Sequence, residues 1–232
     1  MNRYASIALV SSLLAGASAF APAPASRSTT KLFSDASDDY WDPLMLSQLG
    51  KNIDTFPNMF PDQQFVTEAE IKHGRVAMAA FVGYCIQSNV VFTWPQTTAG
   101  DLPPSVDLLP EQQWDAIPDV AKWQIVTVIG FLEFWDEVSG EHYMRGRQPG
   151  KYPSLDYFRK EVHWVPDLYD PLGFNKKMSD ETKKRRLAVE INNGRLAMLG
   201  IFGFLTADKI PGSVPVLGGI ASPYDGEPMI PW

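Results

Sequence analysis

The chain carries one nine-residue segment twice. Glu70-Ile71-Lys72-His73-Gly74-Arg75-Val76-Ala77-Met78 is matched 120 residues later by Glu190-Ile191-Asn192-Asn193-Gly194-Arg195-Leu196-Ala197-Met198. The chemically changed positions are Lys72/Asn192 and His73/Asn193, and each copy continues into an apolar run in which Gly83 matches Gly203. Two related helices are therefore expected, each placing Glu, Arg and a His/Asn position beside apolar sequence. Ionisable groups in such surroundings mark functional sites.

Spacing fixes how the charges can be met. Within each copy, Glu and the His/Asn position are three residues apart and share a helix face. Glu and Arg are five apart, about 140° around the helix, and pair poorly within it, because partners sit three or four apart. A lone Glu or Arg in lipid costs roughly 2.5–3.5 kcal/mol. Four of them require partners on the other copy. A crossing with pseudo-two-fold symmetry supplies these, Glu70 to Arg195 and Glu190 to Arg75, and Gly74 and Gly194 allow the backbones to come close.

The N-terminus reads as an address. Arg3 precedes an apolar run from Ile7 to Ala17, too short to span a bilayer, and Ala17-Ser18-Ala19 is a small-x-small cleavage pattern. The following FAPAPASRSTTKL holds Ser, Thr, Arg and Lys and no acid. Signal then transit sequence, with Phe20 after the cleavage point, resembles the two-part plastid address of algae with secondary red-lineage plastids. Residues 1–34 are expected to be a presequence and 35–232 the mature domain. Removing Arg3, Arg27 and Lys31 takes the formal net charge from −7 to −10. So acidic a chain is poorly suited to nucleic acid, where affinity rests on neutralising phosphates. A lone cysteine, Cys85, excludes an intrachain disulfide and a Cys-based metal site, and only His73, His142 and His163 offer imidazole.

Three long helices are predicted, near 66–92, 120–138 and 180–207. Thr67 with Glu70 reads as a capping box for the first and Ser179 as the N-cap of the third. Short helices are expected at 107–114 and in the tail from Pro211. None of the long segments is strongly hydropathic, so a soluble bundle is the alternative. Against it, Val76 to Ile86 is apolar on all sides rather than striped. The connections are also asymmetric. Thr93 to Ala121 has no Lys or Arg, whereas Ser139 to Arg186 has eleven. A three-span protein with the N-terminus and the second connection on the insertion side has this pattern. The expected fold is an all-α membrane protein with three transmembrane helices, the first and third crossing. The stretch 101–119 suggests no chemistry.

His73 and Asn193 suit either interhelical hydrogen bonds or ligation of a metal. A carboxylate already paired with Arg keeps spare lone pairs. The Glu–Arg unit is therefore a net-neutral oxygen donor, which suits magnesium, a hard ion. Magnesium within a macrocycle needs only one axial donor from outside.

Glu-x-x-His-Gly-Arg-x-Ala-Met on a first helix and Glu-x-x-Asn-Gly-Arg-Leu-Ala-Met on a third resemble the light-harvesting chlorophyll-binding superfamily, over about residues 40–220. Ile129-Gly130-Phe131-Leu132-Glu133 and Ala207 to Pro215 are similar to its fucoxanthin (or peridinin) chlorophyll a/c branch. The resemblance implies a non-enzymatic antenna in the plastid thylakoid membrane, with a stromal N-terminus and a lumenal C-terminus. It would bind chlorophyll a, chlorophyll c and fucoxanthin or a related xanthophyll, and pass excitation energy to a photosystem I or II core alongside other antenna subunits.

By the same resemblance, Glu70, His73, Glu190 and Asn193 would each hold a chlorophyll magnesium, the only metal implied, and Arg75 and Arg195 would support them. Gln124 and Glu133 would be ligands on the middle helix, with Glu137 or His142 as substitutes for Glu133. Carotenoids would lie against Ala77, Met78, Ala197 and Met198, with ends near Trp41, Asp42 and Pro43 and near Tyr169, Asp170 and Pro171. His163 reads as a loop hydrogen-bonder. Ala207 stands where plant relatives have a further ligand Gln. A photoprotective, energy-dissipating member of the superfamily and a pigment-free membrane scaffold are the alternatives.

Overall fold

The structure is a computed structural model that describes residues 63–161, 165–218 and 221–227. The presequence, Trp41, Asp42, Pro43 and His163 lie outside the described residues. Five α-helices occur among them: α1 (Gln63–Gln87), α2 (Pro110–Asp115), α3 (Asp119–Val138), α4 (Asp156–Glu161) and α5 (Asp180–Lys209). Single 3-10 turns lie at Tyr143–Arg145, Phe174–Lys177 and Pro215–Leu217, and no strand occurs among the described residues. The fold is all-α.

The sequence misplaced the cap and the C-terminal end of α1. Helix already covers Gln63 to Val66, so Thr67 is an interior residue, 7 % exposed, and not a cap. Its expected box partner, Glu70, is engaged with Arg195 instead. At the other end α1 stops at Gln87 rather than near Phe92. There Ser88 Oγ donates to the Tyr84 carbonyl and Asn89 Nδ2 to the Cys85 carbonyl. The Tyr84 carbonyl is thus shared between the Ser88 amide and hydroxyl, and the Cys85 carbonyl is taken by the Asn89 side chain while the Asn89 amide turns to Ile86, a competition that favours helix termination. Ser179 does lie at the start of α5, where its Oγ accepts from the Thr182 amide at 3.4 Å. Among the described residues the tail from Pro211 forms only the turn at Pro215–Leu217, because Pro211 and Pro215 have no amide proton to donate and Gly212, at φ +82°, leaves the helical region.

The chain forms two compact units. One holds α1 up to Val76, α3 from Ile125, α4 and α5 up to Leu196. Its buried apolar residues are Ile71, Ile191, Leu155 and Tyr143. Ionic contacts supply the rest. Asp136, 1 % exposed, lies 2.6 Å from Lys72 Nζ and 2.7 Å from an Arg147 guanidinium nitrogen, and Lys72 also reaches Glu133 at 2.8 Å. The Tyr152 hydroxyl donates to the Leu132 carbonyl at 2.6 Å, tying the following loop to α3. Trp135 packs edge-on against Phe158 of α4.

The other unit holds α1 from Ala77, α2, α3 up to Gln124, and α5 from Ala197 with the tail. Phe204 stacks between Phe81 and Tyr84, with ring centroids 5.2 and 4.9 Å apart. Gln113 of α2 donates to the Gln87 and Leu108 carbonyls, and the Tyr224 amide donates to the Asp208 carbonyl. These bonds fasten α2 and the tail.

Large apolar side chains are mostly outside. Every residue from Trp123 to Phe131 of α3 is exposed, as are Val76, Val82, Leu196, Leu199 and Phe202. Apolar surface this extensive marks a region that something else covers. Among the described residues, no helix is long and apolar enough to cross a membrane.

Candidate functional site: donors around the glycine contact

Gly74 of α1 and Gly194 of α5 are in backbone contact. A Cβ built on Gly194 would lie 2.8 Å from the Gly74 Cα, and one on Gly74 would lie 3.1 Å from the Gly194 Cα. No side chain other than hydrogen fits there. On either side of this contact the charges exchange partners. Arg75 Nε donates to Glu190 Oε1 at 2.6 Å, and Arg195 Nε donates to Glu70 Oε1 at 2.6 Å. Such charge-assisted bonds are among the stronger ones available to a protein. Each uses one carboxylate oxygen and cancels the net charge of the unit, which leaves the second oxygen as a donor toward a ligand.

Arg75 is further fixed by the loop after α3. Its Nη1 donates to the Gly150 carbonyl at 2.6 Å, while the Gly150 amide donates to Glu68 at 2.6 Å. Gly150 has φ +78°, and a Cβ there would meet Ile71 at 2.9 Å, so glycine is required on both counts. Nothing in the repeat signals this residue, since its role comes from a connection elsewhere in sequence.

His73 is exposed, and its Nδ1 lies 2.7 Å from the Ala69 carbonyl one turn back. A carbonyl can only accept, so Nδ1 is the donor here, which leaves Nε2 as the ring nitrogen available to a ligand. A metal-binding imidazole needs this arrangement, with the second nitrogen held by a carbonyl to fix tautomer and ring plane. Asn193 and Gln124 are exposed on α5 and α3. Glu133 is half-exposed and paired with Lys72, so it too is a neutralised carboxylate. Glu137 and His142 bond each other at 2.7 Å. Lys72, read from sequence only as a difference between the copies, is a central cation here. The local signal was the acid pair Glu133 and Asp136, three apart on one face of α3.

The residues expected to contact carotenoid belong to both units. Ala77 is buried and Met78, Ala197 and Met198 are half-buried in one unit. Tyr169 and Asp170 line a cavity of about 370 Å³ in the other, with Arg75, Glu190, Lys183 and Arg186. Asp170 has φ +51° and accepts from the Asn175 amide, which holds this loop in shape. Pro171 is exposed.

The donor set fits magnesium in a macrocycle. The donors are single, neutral and scattered over helix surfaces beside exposed apolar residues such as Val76 and Leu196, where a large flat apolar ring can lie. Among the described residues no three His, Cys, Asp or Glu side chains are gathered to hold a bare metal ion.

Comparison with known proteins points the same way. A family model described as chlorophyll A-B binding protein matches residues 25–209. The chain is 31% identical over 227 residues to a chloroplastic fucoxanthin-chlorophyll a-c binding protein of Trieres chinensis, covering 90% of this chain and 97% of that one. It is 30% identical over 212 residues to fucoxanthin-chlorophyll a-c binding protein F of Phaeodactylum tricornutum, covering 88% and 95%. Protein B of that name from Macrocystis pyrifera is 28% identical over 177 residues, covering 74% and 68%. With its reciprocal Glu–Arg pairs, its outward-facing donors and these matches, the chain belongs to the chlorophyll a-b binding, light-harvesting family.

Proposed function

We propose that this chain is an antenna subunit of the plastid thylakoid membrane. It binds chlorophyll a, chlorophyll c and fucoxanthin or a related xanthophyll, and delivers excitation energy to a photosystem core. Bound pigments supply the absorption and energy transfer; the chain sets where each pigment sits and which way it faces. Glu70, His73, Glu190, Asn193, Gln124 and Glu133 are the magnesium ligands in this reading, and Arg75, Arg195 and Lys72 neutralise the carboxylates. Carotenoid packs against Ala77, Met78, Ala197 and Met198, and its ends lie near residues 41–43 and 169–171. The observation that carries the reading is His73, an exposed residue whose Nδ1 is bonded to a backbone carbonyl, leaving Nε2 free of that bond.

In this reading α1, α3 and α5 are the membrane spans and residues 1–34 the plastid presequence. A hydropathy average counts Glu70, Arg75, Glu190 and Arg195 as four separate charges. Joined as two pairs, they avoid most of the roughly 2.5–3.5 kcal/mol that each lone charge costs in lipid. The apolar residues exposed along α3 face lipid or pigment. Eleven Lys and Arg within 139–186, against none within 93–121, support a stromal N-terminus and a lumenal C-terminus.

The deciding experiment is an absorption spectrum of the protein purified from thylakoids. Chlorophyll a, chlorophyll c and carotenoid bands are expected, and a colourless folded protein would refute the reading. In the His73→Leu protein, pigment extraction is expected to find about one chlorophyll fewer while the helical circular dichroism is kept. Unchanged stoichiometry would remove His73 from the ligand set.

A further inference from the structure

The two Glu–Arg pairs come from matching positions of the repeat, yet they are not held alike. Arg195 makes one hydrogen bond among the described residues, from Nε to Glu70. Arg75 makes two, from Nε to Glu190 and from Nη1 to the Gly150 carbonyl. It is also the better covered of the two, its side chain 39 % exposed against 54 % for Arg195.

The difference traces to a residue just outside the repeated segment. Glu68 stands two positions before Glu70, and the matching position before Glu190 is Ala188. Glu68 and Arg75 are seven residues apart, so they share one face of α1 but lie about 10 Å apart along its axis, too far to meet. Gly150 bridges them. Its amide donates to Glu68 Oε2 and its carbonyl accepts from Arg75, each at 2.6 Å. Buried Ile71 lies between the two charges on that face and packs under the glycine. A glycine at positive φ has many conformations open to it, so its carbonyl points where its amide is tied. Glu68 is 5 % exposed. Lys72 comes only to 4.0 Å from its Oε1 and is bound more closely to Asp136 and Glu133, so the Gly150 amide is the contact that fixes Glu68.

We propose that Glu68 is a positioning residue for the carboxylate of Glu190, acting through Gly150 and Arg75. By tying down the Gly150 amide it aims the carbonyl at Arg75 Nη1. A guanidinium held at two nitrogens cannot swing about one bond, so Glu190 Oε1 is fixed in place and Oε2 faces its ligand in one direction. Glu70 has no such support, because Arg195 holds it through a single bond and can turn with it. The inference rests on Glu190 being a pigment ligand, as read above; the lock on Arg75 does not. In that reading the chlorophyll at Glu190 has a fixed orientation and the one at Glu70 a looser one. Outer partners that orient a ligand in this way tune what it binds. Energy transfer depends on the mutual orientation of pigments, so Glu68 makes one of two matched sites the better-defined station.

The lock is read on the purified protein, its arginines labelled with nitrogen-15, from the exchange of arginine Nε protons with solvent. Arg75 is expected to exchange about tenfold more slowly than Arg195, the effect of one further hydrogen bond made by a charged group. Glu68→Ala should bring Arg75 to the rate of Arg195 and leave Arg195 unchanged. Glu68→Gln keeps an oxygen for the Gly150 amide and should keep most of the protection. A Gln variant as fast as the Ala variant would show that charge, and not the bond to Gly150, is what matters, and would overturn the proposal. The pigment consequence is read from the same proteins. Glu68→Ala should keep its chlorophyll count while a chlorophyll band shifts or broadens in low-temperature absorption and circular dichroism, and Glu68→Gln should restore that band. A lower thermal midpoint with every band in place would mean a merely structural role and would also overturn the proposal. Equal exchange of Arg75 and Arg195 in the wild-type protein overturns it without any variant. In a pigmented protein that result would end the lock alone. A colourless protein in which Arg75 is still the slower would end the antenna reading and leave the lock standing.

Discussion

Gly194→Leu is expected to abolish accumulation of the folded, pigmented protein. The first atom of the new side chain would lie 2.8 Å from the Gly74 Cα and 3.3 Å from its carbonyl carbon. Both neighbours are backbone inside a helix, so they cannot turn aside as a side chain would. The helices must move apart, and at that level they are joined by two 2.6 Å ionic hydrogen bonds. Overpacking alone costs about 1–3 kcal/mol. Separation would also leave Glu70, Arg75, Glu190 and Arg195 short of their partners, and breaking a pair by losing one partner is the expensive case. Gly203→Leu is the control, since a Cβ there meets nothing within 4 Å. Yield and thermal midpoint in detergent should fall sharply for the first variant and little for the second. Equal behaviour of the two would show that the glycine contact does not hold the helices together.

Asp136→Ala should be nearly as severe for a different reason. Asp136 is 1 % exposed and is shared by Lys72 and Arg147, the latter with a side chain 8 % exposed. Deleting the carboxylate leaves a buried guanidinium facing an ammonium group with nothing between them. Removal of one member of a buried ionic cluster costs about 3–5 kcal/mol. For a domain of this size that corresponds to roughly 6–20 °C in the thermal midpoint. Glu133→Ala removes the more exposed partner of Lys72 and should cost less than about 1 kcal/mol. A midpoint that falls equally for both variants would overturn the assignment of Asp136 as the centre of this network.

The sequence was most informative where it repeats itself. Two copies of one segment, each with a charge pair that could not close within its own helix, allowed the reciprocal partners of Glu70 and Arg75 to be reasoned out. It was least informative where one group from a distant connection decides the outcome. Thr67 looked like a cap because Glu70 stands three residues on. Nothing local reveals that Glu70 is claimed by a residue 125 positions away. Gly150 and Arg147 sit in a connection rich in turn residues, and only folding shows them against Glu68, Arg75 and Asp136. Residues 101–119 suggested no chemistry. Five dispersed acids there look like a solvated loop, and burial of Glu111 depends on Tyr84 and Asp208, from the ends of two other helices. The exposed apolar surface of α3 is an ordinary apolar helix in sequence terms, and only the structure shows how little of the chain covers it.

The reciprocal pairs also impose an order of events on synthesis. Glu70 and Arg75 emerge from the ribosome with their partners 125 and 115 residues behind. Until then, α1 carries two unneutralised charges and an unfilled glycine notch. Contacts of such long sequence separation close late and slowly. Helix α1 therefore cannot be a finished, charge-neutralised unit when it is made. It needs a temporary shelter, and a chain truncated before Arg195 should be a substrate for quality control rather than a stable two-helix remnant.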